Sequence, residues 1–378
     1  MERAKLYFAT NRNHIGDNRW NPRGYGEAFS SDGHENLRFG EIEVPYDAPT
    51  VDGFIEKKFK GNRVGDGNSL SSYLTKSAKQ ASITAYKDVL TKGYKKKLPK
   101  VNSSDIFFSG LKEHMMDAKN VLIYIHGFNV SWNEAVGSAL SLQFMINSFR
   151  KKDEKETLVV LFSWPSNGSM TPFLAYKSDR SDARDSGKAV GRAFLKLSDY
   201  LGTLREDAKN DKVKLCKSDI NLLCHSMGNY LLQNGLEKKL IGYNAGRVLP
   251  RIFNNVFLCA PDVNDDVFEE GKGMSRLPEM AKNISIYYNN GDLAMNISKY
   301  SKQFTDRLGQ VGNARPALVH NKVHQIDCSP IVHGVVEHSY YLWASVNNDI
   351  YQTITGLSFD DTKRNRKSLG QNREWVMV

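Results

Sequence analysis

The sequence lacks several features that would announce a function outright. No apolar run approaches the length needed to cross a bilayer, and the opening "MERAKLYFATNRN" has no secretory-type apolar stretch. A cytoplasmic location is therefore expected. Cysteine is scarce. Cys216, Cys224, Cys259 and Cys328 show no paired metal-type spacing, and three of them lie in apolar, strand-like segments, so reduced and buried thiols are expected. No glycine loop is followed by Lys and Ser or Thr in the manner of a phosphate cradle. Neither a metal nor a nucleotide nor any other cofactor is expected.

What is present describes an ordinary globular protein. The chain has 378 residues, 40% of them hydrophobic, 11% aromatic and 25% charged, which is ample for a large core and too ordered a composition for a disordered chain. The 52 basic and 42 acidic side chains give a net charge of +10. The excess gathers in "KGYKKKLPK" (92–100) and "TKRNRK" (362–367). Lys95, Lys96, Lys97, Arg364 and Arg366 are thus candidates for contact with an anionic surface, because Coulomb attraction favours any polyanion. A solvated surface is the plainer reading of such runs, and no specific nucleic-acid motif accompanies them.

Along the chain, "KLYFAT" (5–10) and "LRFGEIEVPY" (37–46) read as strands joined by a loop rich in Gly, Asn and Asp, so residues 1–52 are expected to join the sheet. Residues 53–103 are lysine-rich with weak periodicity and read as an insertion or peripheral helical layer. From 104 to 356 short apolar runs alternate with helical patterns. "NVLIYIHGFN" reads as a strand buried on both faces, followed by a helix in which Val136, Leu140 and Phe144 recur four apart. "TLVVLFSWPS" is the next strand, and Val190, Phe194, Leu197 and Leu201 then form one helical stripe within a segment at about 180–208. "DINLLCHS", "RIFNNVFLCAPD", "NISIYYNNGD" and finally "NKVHQIDCS" supply four more strands. This alternation predicts an α/β protein with a mostly parallel sheet covered by helices on both faces. The polar, basic tail 357–378 is expected either to be disordered or to dock through Trp375 and Val376.

In such a sheet, reactive groups collect on loops at the carboxyl ends of the strands. There the sequence offers "HGFN" (126–129), "SWPSNG" (163–168), "HSMGN" (225–229), "APDVND" (261–266), "NNGDLAM" (289–295) and "VHGVVEHSYY" (332–341). A serine at neutral pH needs an imidazole to take its proton and a carboxylate to orient that imidazole. Ser226 stands where a strand gives way to a helix, Asp292 follows a later strand, and His338 lies beyond "NKVHQIDCS". The order Ser, Asp, His is that of the α/β-hydrolases. The N–H of Met227 and that of Phe128 are the candidate oxyanion donors, with Gly127 permitting a close chain path. Asp262 and His333 remain open as alternatives to Asp292 and His338, and His324, inside an apolar strand, reads as structural. Trp164, Tyr176, Phe128 and Met170 are candidate apolar walls for a substrate. Cys224 replaces the first glycine of the G-x-S-x-G pattern, and Gly228 keeps the second small position.

Taken in order, "YFATNR", "VLIYIHGFN", "FSWPS", "YKSDRSDARDSG", "LLCHSMGN", "LCAPDVND", "YYNNGDLAM", "DRLG" (306–309) and "HSYY" resemble the bacterial α/β-hydrolases grouped as DUF900, esterase- or lipase-like proteins of unknown function. The resemblance spans most of residues 120–345. It implies an α/β-hydrolase fold with a triad carried onto Ser226, Asp292 and His338, and it implies no particular substrate. A serine hydrolase acting on an ester or thioester is the favoured expectation. The other is a scaffold without turnover that binds an anionic partner or membrane surface through its basic clusters.

Overall fold

The computed structural model describes residues 1–59, 62–87, 103–117, 120–152, 154, 156–166, 172–210, 218–242, 246–295, 305–332, 337–370 and 373–378. His333, Met170, Cys216 and Lys95, Lys96 and Lys97 lie outside them.

The chain opens with β1 (Glu2–Thr10), the short pair β2 (Arg12–Ile15) and β3 (Gly24–Phe29), and β4 (Arg38–Tyr46). The loop rich in Gly, Asn and Asp therefore carries a hairpin of its own, since β2 and β3 pair antiparallel. Helices α1 (Ala48–Ile55) and α2 (Gly67–Ala78) follow, with the short pair β5 (Lys58–Phe59) and β6 (Asn62–Arg63) between them. Both helices begin on an aspartate, Asp47 and Asp66, whose carboxylate accepts a first-turn N–H. Strand β7 (Ser82–Ala85) and helix α3 (Ser103–Asp117) lead into the repeating part of the chain.

That part consists of β8 (Asn120–Ile125), α4 (Trp132–Asn147), β9 (Thr157–Ser163), α5 (Pro172–Lys209), β10 (Asp219–His225), α6 (Met227–Gly235), β11 (Phe253–Cys259), α7 (Leu277–Met280), β12 (Ala281–Tyr288), α8 (Leu308–Val311), β13 (Val323–Asp327) and α9 (Ala344–Ile354). Helix α4 starts at a capping box, in which the Ser131 hydroxyl accepts from the Glu134 N–H and the Glu134 carboxylate accepts from the Ser131 N–H. Helix α5 begins near residue 172, earlier than the apolar stripe alone indicates.

Strands β15, β13, β12, β11, β10, β8, β9 and β1 lie side by side and all parallel, where β15 is Glu374–Met377. Antiparallel strands close both edges: β14 (Arg366–Ser368) beyond β15, and β4 then β7 beyond β1. The strand "NKVHQIDCS" is thus not the last in the chain, because the polar tail returns to extend the sheet. Trp375 is buried in the core next to Ile326 of β13, its register partner.

Side chains alternate across the sheet as strand geometry requires. In β10, Ile220, Leu222 and Cys224 enter one core while Leu223 enters the other. The first core is covered by α3, α5 and α6, and the second by α1, α2, α4 and α9. A run of apolar residues in sequence is therefore two separate faces in space.

The tail also corrects a reading of its charge. Arg364 and Arg366 do not face solvent: both guanidinium groups are buried, Arg364 Nη1 at 2.9 Å from Asp349 Oδ1 and Arg366 Nη1 at 3.0 Å from Asp349 Oδ2. They neutralise a buried carboxylate, which also accepts the Tyr287 hydroxyl at 2.7 Å, and so are not available to an anionic surface.

Candidate active site

Strand β10 ends at His225 and α6 starts at Met227, leaving Ser226 alone in the turn with φ 51° and ψ −123°. A positive φ is costly for a residue with a Cβ and persists only where its surroundings impose it. Here they do. The Ser226 N–H donates to the Cys259 carbonyl at 2.9 Å, extending the β10–β11 ladder by one residue. Its own carbonyl accepts the N–H of Asn229 at 3.0 Å, the N–H of Asp262 at 3.2 Å and Asn229 Nδ2 at 3.0 Å. Asn229 Nδ2 also reaches the Cys224 carbonyl at 3.1 Å, so one buried amide clamps both sides of the turn.

Two glycines make room for it. A Cβ on Gly228 would stand 2.6 Å from the His126 carbonyl oxygen, and one on Gly127 would stand 2.8 Å from the Ser226 Cβ. The loop after β8 is thereby pressed against the serine turn, which brings the backbone of 127–129 beside that of 226–228. Met227 and Phe128 belong to these two facing segments.

Asp292 and His338 come together. His338 Nδ1 lies 2.6 Å from Asp292 Oδ2, and the aspartate side chain has no exposure. Asp292 Oδ1 accepts the Ala294 N–H at 3.0 Å, which fixes the carboxylate plane. His225, the neighbour of Ser226, reaches the His338 carbonyl through Nε2 at 3.1 Å, and the two rings stand 4.7 Å apart. Burial and the nearby His338 hold the His225 imidazole well below its ordinary pKa, so it is neutral and its Nε2–H donates to that carbonyl. Among the described residues, no hydrogen bond joins Ser226 Oγ to the His338 ring.

Asp262, the alternative carboxylate, is engaged elsewhere. It accepts the Tyr176 hydroxyl at 2.8 Å and lies 3.8 Å from Arg180 and 3.7 Å from Arg307. His324 sits in β13 stacked on Phe359 with ring centroids 3.7 Å apart, and burial lowers its pKa to about 4. His320, four residues earlier, precedes β13, and among the described residues no group of three potential ligands converges as a metal site.

The candidate walls divide. Trp164 has no exposure with which to line a pocket: its indole stacks on His126 at 5.3 Å and donates to the His126 carbonyl at 2.9 Å. Tyr176 is also buried, with its ring edge against Phe128 at 5.7 Å and its hydroxyl on Asp262. It connects the loop after β8 to the loop after β11.

A polar network beneath the 126–130 loop escaped the sequence reading. Arg12 is fully buried; its Nε donates to Ser163 Oγ at 2.8 Å, Nη1 to the Gly26 carbonyl at 3.0 Å and Nη2 to the Val130 carbonyl at 2.7 Å. Burial pulls its pKa down to about 9, against the opposing pull of Glu27, Asp179 and Glu134. His126 Nε2 accepts the Trp164 N–H at 3.2 Å, which leaves Nδ1–H to donate to the Gly127 carbonyl at 2.9 Å. Burial and then Arg12 push the His126 pKa down to about 3, so the ring is neutral. Asp179 completes the support by accepting the Asn129 N–H at 3.0 Å and the Ser166 hydroxyl at 2.6 Å. The signal in the sequence is the polar residues of "YFATNR" (7–12) and "YKSDR" (176–180).

Residues 105–356 match the family described as "Alpha/beta hydrolase of unknown function (DUF900)". The chain belongs to that family. Its fold is accordingly the α/β-hydrolase fold, with the serine turn after β10 where the DUF900 segment "LLCHSMGN" falls. No curated protein matches the sequence. Among solved structures, esterase B of Lactobacillus rhamnosis is similar at 12% identity over 64% of this chain and 76% of that one, with a TM-score of 0.35. Est1E of Butyrivibrio proteoclasticus is similar at 12% identity over 63% and 86%, with a TM-score of 0.27. The peroxisomal alpha-beta-hydrolase Lpx1 of Saccharomyces cerevisiae is similar at 6% identity over 98% and 94%, with a TM-score of 0.35.

Proposed function

We propose that this DUF900 protein is a serine hydrolase that cleaves a carboxylic ester or thioester through an acyl-enzyme. The observation that carries the proposal is the 2.6 Å contact between His338 Nδ1 and Asp292 Oδ2, held beside the strained turn of Ser226. In this reading Asp292 keeps the His338 proton on Nδ1, leaving Nε2 as the base for the Ser226 hydroxyl. The alkoxide attacks the acyl carbon, His338 returns the proton to the leaving alcohol or thiol, and water repeats the sequence on the acyl-enzyme. Met227 at the first turn of α6 and Phe128 on the facing loop supply the N–H groups for the tetrahedral oxyanion. Tyr176 acts through Phe128 in shaping the acyl side.

The substrate is a small-molecule or lipid-like acyl compound. A cytoplasmic location belongs to the same proposal and is supported by three buried, unpaired thiols, Cys224, Cys259 and Cys328. Among the described residues no helix is long and apolar enough to cross a membrane. The test is labelling of the folded protein with a fluorophosphonate. Labelling that vanishes in Ser226→Ala and falls sharply in His338→Ala is expected, and equal labelling of Ser226→Ala would overturn the assignment.

A further inference from the structure

The other end of the sheet holds a cavity that the proposed chemistry does not use. It has a volume of about 500 Å³, within the roughly 300–1,000 Å³ of small-molecule sites. Its floor is the amino-terminal ends of β10 and β11, at Ile220, Ile252 and Phe253. Ile220 is the second residue of β10 and Ser226 follows its last, so the floor lies about 20 Å from the serine at roughly 3.3 Å per residue.

Two helices wall it. Phe108, Leu111 and Met115 of α3 follow helical spacing along one side, and Leu197 and Leu201 of α5 face them. Tyr200 ties the walls together by stacking on Phe108 at 5.1 Å and donating its hydroxyl to the Phe108 carbonyl at 3.1 Å. The cavity is therefore a framed space between packed helices.

Its rim has one sign of charge. Lys112, Arg251 and Lys282 stand around it, and among the described residues none of the three forms an ion pair. Among the described lining residues the one carboxylate, Asp219, accepts Asn254 Nδ2 at 3.2 Å. Among the described residues, three cations against one carboxylate give the lining a net positive charge, while the side chains that α3 and α5 contribute between them are largely apolar. That pairing recognises an apolar chain with an anionic head. A bare phosphate would leave the walls unused, and an uncharged hydrocarbon would leave the cations unused.

We infer that this cavity binds a single-chain acyl carboxylate, its chain between α3 and α5 and its head at Arg251 and Lys282. The inference stands apart from the hydrolase proposal, since no residue of the cavity belongs to the serine site. An acyl carboxylate is also what ester cleavage would release, so the site is suited to respond to such a product.

The test is titration of the full chain carrying Ser226→Ala with dodecanoate below its micelle concentration, followed by calorimetry. One saturable site is expected. Affinity should fall at least tenfold in Arg251→Glu/Lys282→Glu, whose substitutions lie on exposed residues, and dodecanol should bind more weakly than dodecanoate. Leu201→Trp, which fills the cavity, should abolish binding, with circular dichroism checking the fold. No saturable binding, or equal affinity with and without the charge reversal, would overturn the inference. The same holds if binding disappears once Ser226 of the unsubstituted protein is blocked by a phosphonate.

Discussion

His338 and Asp292 are 46 positions apart in the chain and 2.6 Å apart at Nδ1 and Oδ2. The carboxylate is fully buried and oriented by the Ala294 N–H, while the imidazole keeps a fifth of its surface exposed. That difference suits the proposed roles of His338 as base and Asp292 as orienting acid. Asp292→Asn should lower kcat on the order of 10⁴-fold by favouring the wrong imidazole tautomer. Steady-state ester hydrolysis measures this, with unfolding curves to show that the variant remains folded. A loss below tenfold would return Asp262 to consideration.

Arg12 is expected to act through the loop it holds. Arg12→Met leaves Ser163 Oγ and the carbonyls of Gly26 and Val130 without their donor, and each lost partner costs about 1–3 kcal/mol. Urea unfolding should show a loss of about 3 kcal/mol or more. In variants that remain folded, such as Arg12→Lys, kcat should fall more than KM rises, because the 126–130 loop carries the Phe128 N–H. An unchanged kcat would mean the loop keeps its shape without the guanidinium.

Gly228 is required by space. Its φ is ordinary, but a Cβ would fall 2.6 Å from the His126 carbonyl oxygen and 2.8 Å from that of Ile125. Both are backbone atoms of β8 and its loop, which cannot swing aside. Gly228→Ala should therefore cost about 1–3 kcal/mol in denaturant unfolding and also widen the gap between the two facing segments, lowering activity. Wild-type stability in this variant would show that the turn has slack.

Asp349 concentrates the stability of the tail. Removing it in Asp349→Ala takes the neutralising carboxylate away from two buried guanidinium groups and leaves the Tyr287 hydroxyl without its acceptor, while Arg364 and Arg366 keep only neutral acceptors such as the Ser358, Leu357 and Phe359 carbonyls. Breaking a buried pair from one side costs about 3–5 kcal/mol. Because β14 and β15 lie at the sheet edge, limited proteolysis should cut the tail of this variant first. Equal resistance to cutting would argue against that role.

Stability should fall on acidification before the carboxylates titrate. His126 has an ordinary pKa of 6.5 lowered to about 3 in the fold, and His225 is lowered well below 6.5. Between about pH 6.5 and the folded values the unfolded chain binds the extra protons. Stability is thus full above about 6.5 and drops by about 1.4 kcal/mol per pH unit for each fully buried imidazole as the pH falls. Thermal unfolding from pH 7.5 to 4.5 would display the slope. His126→Gln should make it shallower, and an identical slope would place the effect elsewhere.

Much of this protein was set by local pattern. The apolar runs of β8 to β13 are legible because each strand is buried on both faces, so burial alone demands an uninterrupted apolar stretch. Ser226, Asp292 and His338 could be singled out as candidates because the chemistry of a parallel sheet gathers at one end of its strands, and the sequence runs through those ends in order. The short pairs β2–β3 and β5–β6 and the edge strands β7 and β14 left no such mark, since a strand at an edge or in a hairpin buries too little to impose a pattern, and β15, between β14 and β13, is only four residues long. The choice of Asp292 as the partner of His338, the retreat of Trp164 behind His126, and the burial of Arg364 and Arg366 were decided only in three dimensions. Each depends on a contact between segments far apart in the chain. Distance and burial, which residue type cannot encode, determine whether a charge pairs, titrates or meets solvent.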